Sequence, residues 1–145
     1  MKFLLDTNAL CEPTKVAPNA SFLRRFAQHA GDSCTSVLSL HELVFGISIL
    51  PRSIRKDRLT AYVDALQTAG LVILPYNEAA ARWHALERAR LVRAGRTSAF
   101  VDGQIAGIAV AYGLTLITRN KRDFTDFREL RIDSWWPNES VQSKN

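Results

Sequence analysis

The chain opens on a short apolar run, Lys2-Phe3-Leu4-Leu5, cut off by Asp6-Thr7-Asn8. A brief continuous apolar run is the pattern of a strand buried on both faces of a parallel sheet. Similar runs lie at Ser33 to Val37, at Leu71 to Leu74 before Pro75, and at Leu114 to Ile117, and Leu130 to Ile132 is a candidate fifth. Between these runs the apolar period becomes helical. Asn19 or Pro18 opens a helix bearing Phe22, Leu23 and Phe26, stopped by Gly31. Ser39 opens another with Leu40, Leu43, Val44 and Ile47 at the i, i+3, i+4, i+7 spacing, ended by Pro51. Leu59, Tyr62, Val63 and Leu66 mark a third, closed by Gly70. Asn77 caps a long helix to about Ala94 that turns Trp83 and Leu86 inward and a dense arginine face outward. Val101 to Tyr112 is the most apolar helix, with Ile105, Ile108, Ala109 and Tyr112 in register.

Strands that alternate with helices predict an α/β domain. Its core is a parallel sheet of four to five strands, with helices on both faces. Residues 1–136 form this single domain, and 137–145 read as a flexible tail.

At 145 residues the chain suits one domain and can bury roughly 70% of its unfolded surface without disulfide or metal staples. Its two cysteines, Cys11 and Cys34, are too few for a disulfide framework or a four-thiolate zinc site. They fit a reducing compartment. No secretory core follows Lys2, and the longest nearly apolar stretch, Ile105 to Ile117, is short of the roughly 18 residues of a membrane span. Together these features point to the cytoplasm. The net charge of +5 favours an anionic partner only weakly.

In an open parallel sheet, ligands bind at the carboxyl ends of the strands. Asp6 follows the first strand, and Thr118, Asn120 and Asp123 follow the fourth. Familiar nucleotide sites are excluded at that rim. Asp6-Thr7-Asn8-Ala9-Leu10-Cys11 lacks the glycines of a dinucleotide fingerprint, and no P-loop occurs anywhere in the chain. A haloacid-dehalogenase-type phosphatase would want an Asp where Asn8 stands.

Two further acids sit in apolar helices. Glu42 completes a possible capping box with Ser39, and Asp102 could simply complement a helix dipole. Gathered at one rim, however, four carboxylates repel one another, and a hard divalent cation resolves that repulsion. Such an ion suits phosphodiester hydrolysis.

The residues that carry this reading also carry a resemblance. Asp6-Thr7-Asn8, Glu42 with Gly46, Asp102 with Ile105-Ala106, and Thr118-Arg119-Asn120 with Asp123-Phe124 resemble the PIN domain. More narrowly, the chain is similar to the VapC/FitB-type toxins of bacterial toxin–antitoxin systems, from about Met1 to Phe127. Ile73-Leu74-Pro75 and Gly95-Arg96 fit the FitB-like branch.

The resemblance implies a metal-dependent endoribonuclease with Mg2+, or Mn2+, at Asp6, Glu42, Asp102 and Asp123. Asp6 and Asp102 would ligate directly, and Thr7, Asn8, Thr118 and Asn120 would orient carboxylates and water. It also implies an RNA substrate, a cognate antitoxin, a homodimer, and contact with DNA only through the antitoxin. Gly103 and Gly107 depart from the family, which often has Ala there, so this helix is either softer or packed more closely. Ser134-Trp135-Trp136-Pro137 replaces the usual Asn-Pro-Trp.

Beside such a site, Arg119, Lys121 and Arg122 would hold RNA phosphates. Trp83, Trp135 and Trp136 read as core or interface residues rather than base-stacking platforms. Two other functions remain open at this point: a PIN nuclease of RNA maturation without an antitoxin, and a nucleic-acid-binding module without catalysis.

Overall fold

A computed structural model describes residues 1–137; the expected tail, apart from Pro137, lies outside the described residues. Five strands form one sheet: β1 (Phe3–Leu5), β2 (Ser33–Ser36), β3 (Val72–Leu74), β4 (Thr115–Ile117) and β5 (Arg131–Asp133). Their order is β3-β2-β1-β4-β5, and every neighbouring pair is parallel. Around them lie α1 (Thr7–Cys11), α2 (Ala20–Gln28), α3 (Val37–Ser48), α4 (Ile54–Thr68), α5 (Glu78–Arg93) and α6 (Phe100–Ala111).

Successive side chains of a strand point to opposite faces. Leu4 and Leu116 therefore enter a core built with α5 and α6, while Leu5 and Ile117 enter another with Ala9, Phe22, Trp135 and Trp136. Leu10, Leu43 and Ile47 form a third cluster, packed against Leu59, Val63 and Leu66 of α4. Trp135 and Trp136 are buried, as the sequence suggests.

The polar residues before the helices work as caps. Asn19, Ser36, Ser53 and Asn77 each accept a hydrogen bond from the amide three residues on. At the far end of α6, Gly113 takes a positive φ of 67°, which turns the chain directly into β4.

Several readings of the sequence are corrected. The segment after Asp6, to which the sequence pattern assigns no element, is a short helix, α1. Five residues are too few to show a helical period, and the cap that starts them is Asp6 itself. Ser39 does not open α3: Ser36 does, which leaves Ser39 buried inside the helix and abolishes the capping box with Glu42. On α5, Leu86 is 74% exposed, and His84 and Glu87 are buried in its place. Glu87 is tolerated there because its carboxylate accepts from Arg90 Nε at 2.7 Å and from the Arg128 amide at 2.6 Å. Tyr112 is likewise partly exposed.

The two unusual glycines of α6 mark close packing. A Cβ on Gly103 would stand 2.1 Å from His84 Nε2, and one on Gly107 would stand 2.8 Å from the Ala80 carbonyl.

Candidate active site

β1 is flanked by β2 on one side and β4 on the other, so the chain changes direction across the sheet there. The crevice beyond the carboxyl ends of β1 and β4 is the switch point where open α/β sheets bind ligands. Asp6 leaves β1 and Thr118 leaves β4 at this crevice, and the Asp6 amide donates to the Ile117 carbonyl at 3.1 Å.

A cavity of about 130 Å3 opens here. All four expected acids, Asp6, Glu42, Asp102 and Asp123, line it. So do all four expected supporting residues, Thr7, Asn8, Thr118 and Asn120. Ile105 of α6 and Phe124, which the sequence shows as motif neighbours of Asp102 and Asp123, supply its apolar wall. Among the described residues, no Lys, Arg or His lines this cavity.

Each acid arrives from a different element. Asp6 caps α1, with Oδ1 accepting the Ala9 amide at 2.8 Å. It is only 6% exposed. Burial raises its pKa, and nearby Glu42 adds to this; the Thr118 hydroxyl and the Ala9 amide pull the other way without cancelling it. Thr118, fully buried, also accepts the Asn120 amide at 3.1 Å, so one hydroxyl ties the β4 exit to the carboxylate after β1.

Glu42 projects from α3 and is held by the Thr7 hydroxyl, which donates to its Oε2 at 2.6 Å. Asp102 lies in the first turn of α6. Burial, then repulsion from Asp123, Glu42 and Asp6, raises its pKa to about 6. Asp123 ends the 3-10 turn Lys121–Asp123. Asn8 reaches the cavity from an exposed position on α1.

Among the described residues the donor set is therefore all oxygen, acidic and without a lining cation. That chemistry fits a hard divalent ion. As the side chains stand, no three His, Cys, Asp or Glu groups among the described residues enclose an ion by themselves. Fewer carboxylates with several retained waters is the arrangement magnesium favours.

Arg119, Lys121 and Arg122 lie in the turn that links Thr118 to Asp123 and line an adjoining cavity. Ser134, Trp136 and Pro137, which carry no catalytic signal in the sequence, complete that second cavity.

The PIN domain profile matches residues 3–130. The chain is 35% identical to the tRNA(fMet)-specific endonuclease VapC of Shigella flexneri over 135 residues, covering 93% of this chain and 98% of that protein. The chain belongs to the PIN-domain family, among its VapC- and FitB-type members.

Solved PIN structures agree. VapBC of Salmonella typhimurium, determined bound to DNA, superposes with a TM-score of 0.80 at 32% identity over 93% of this chain and 98% of that one. FitAcB of Neisseria gonorrhoeae gives a TM-score of 0.82 at 29% identity, over 92% and 98%. Among the described residues of this PIN domain, no helix is long and apolar enough to cross a membrane.

Proposed function

We propose that the chain is a metal-dependent endoribonuclease and the toxin of a toxin–antitoxin pair. The observation that carries this reading is the convergence of Asp6, Glu42, Asp102 and Asp123 on one cavity at the switch point of the sheet. The name of the Shigella relative supports an RNA substrate. The VapBC and FitAcB assemblies support an antitoxin partner, and the DNA bound in one of them supports contact with DNA only through that partner. A homodimer completes the expected assembly. A non-catalytic module would tolerate loss of an acid, and all four are present.

Mg2+, or Mn2+ in its place, would be held by Asp6 and Asp102, with Glu42 and Asp123 joining directly or through water. When bound, such an ion polarises a phosphoryl oxygen and makes a water nucleophilic near neutral pH. The protein does the rest by placement. Thr118 and the Ala9 amide fix the Asp6 carboxylate, and Thr7 fixes that of Glu42. Ile105 and Phe124 close one wall against bulk water. Arg119, Lys121 and Arg122 hold the phosphates that flank the cut, the dominant source of affinity for nucleic acid.

The test is purified full-length protein on total RNA, with and without chelator, with the cut ends mapped. Discrete ends that vanish in chelator and return with Mg2+ support the proposal. Intact RNA under all conditions overturns it.

A further inference from the structure

The acidic cavity has a larger neighbour of about 430 Å3, and Asn120 and Asp123 line both. The neighbour has the opposite charge: Arg119, Lys121 and Arg122 come from the turn after β4, and Ser134, Trp136 and Pro137 from the segment after β5. Lys121 and Arg122 form no ion pair among the described residues.

The aromatic wall is fixed in place. Trp136 stacks on Phe22 with centroids 4.4 Å apart, and the Arg119 guanidinium lies 5.9 Å from its ring. Its amide donates to Ser134 Oγ at 3.3 Å, and the Ser134 amide donates to Asp133 Oδ1 at 2.7 Å. The rim is thus pre-formed. The Ser134 hydroxyl proton takes no acceptor among the described residues and is free for a ligand.

Cations call for a phosphate, but a bare phosphate would leave most of this space empty. The volume falls within the roughly 300–1,000 Å3 of small-organic-ligand sites, which pair apolar surface with a few polar groups. Trp136 is 6% exposed and stacked on Phe22, so it offers only an edge; with Pro137 and the Ser134 hydroxyl that edge gives the small apolar surface with one polar group that organic-ligand sites pair. The shared Asn120 and Asp123 make the two cavities consecutive along a strand.

We propose that this basic cavity is a single-nucleotide subsite, holding one ribonucleotide of the RNA next to the phosphodiester that is cut. The phosphate rests on Lys121 and Arg122, and the base lies against Trp136 and Pro137 within reach of Ser134. This rests on the nuclease reading, since a strand continuing from the acidic cavity is what brings a nucleotide here.

The probes are AMP, CMP, GMP and UMP, with inorganic phosphate and adenosine as controls. They are titrated into the full chain in chelator and followed by nitrogen–proton NMR. At least one nucleotide is expected to bind about tenfold more tightly than inorganic phosphate or adenosine, moving the Ser134 and Trp136 signals. Lys121→Gln with Arg122→Gln should weaken it about fivefold and flatten its salt dependence. Ser134→Ala should change the ranking of the four bases. Equal binding of phosphate and nucleotides, or shifts confined elsewhere, would overturn the subsite. So would RNA cleavage by a chain that binds no nucleotide here up to about 10 mM; the nuclease reading would survive that result. Nucleotide binding here by a chain that never cuts RNA would overturn the nuclease reading and, with it, the place of this subsite beside a cut bond.

Discussion

The Thr7 hydroxyl donates to Glu42 Oε2 at 2.6 Å, joining the start of α1 to α3 across 35 residues. No other hydrogen bond holds the Glu42 side chain among the described residues. Thr7→Val keeps the shape and removes the donor. Metal affinity or cleavage is expected to fall about 10–100-fold, the usual cost of losing a partner that orients a ligand. Thr7→Ser should restore most of it. Stability should change little at this partly exposed contact, within about 0.5 kcal/mol. Manganese titrations alongside thermal melts check both, and wild-type affinity in Thr7→Val would free Glu42 from this support.

Asp102 gives the site a pH dependence. Its folded pKa, about 6, lies above the ordinary 3.8 because burial and then Asp123, Glu42 and Asp6 disfavour its charge. Below about pH 4 the carboxyl is neutral whether the chain is folded or not. Between about 4 and 6 the folded state holds the proton longer, so metal-free stability falls as pH rises, and above 6 the full penalty remains. Asp102→Asn, uncharged throughout, should therefore melt close to wild type at pH 4 and higher than wild type at pH 7, in chelator. A gap that stays constant with pH would contradict the raised value.

Gly103 should resist a methyl group. In an ordinary helix Gly→Ala gains about 1 kcal/mol. Here the new Cβ would lie 2.1 Å from Nε2 of His84, which is 2% exposed and bound at Nδ1 to the Tyr76 hydroxyl at 3.1 Å. Overpacking of this kind costs about 1–3 kcal/mol, so Gly103→Ala should be net destabilising. His84→Ala in the same chain removes the obstacle, and the double variant should be more stable than the two single effects added together. Urea melts of the four proteins measure that coupling; simple additivity would show that the ring and the helix are not in tight contact.

Much of this architecture was legible in the sequence because period and punctuation agreed. The apolar runs became five parallel strands, and Asn77 and Gly113 bounded their helices as read. All four acids reached one cavity because strand ends and helix starts meet at a single rim. What escaped was decided by tertiary partners. Leu86 looked inward by spacing, yet Glu87 took the buried place through Arg90 and the Arg128 amide, 41 residues away. Ser39 looked like a cap because it precedes a helical period, but the strand before it stops at Ser36, one residue short of the apolar run, and Ser36 caps first. Trp136 gave no sign of lining a basic cavity, because Arg119 meets it only in the fold.

The most direct measurement is the rate of RNA cleavage across a Mg2+ titration for wild type and Asp6→Asn. Asn caps a helix as well as Asp does, so α1 should persist, and loss of a buried charge should leave the metal-free melting temperature equal or higher. The expected result is saturable, chelator-sensitive cleavage by wild type and at least about a hundredfold loss in the equally folded variant. Cleavage by Asp6→Asn at the wild-type rate, or by wild type in excess chelator, would contradict the acidic metal site.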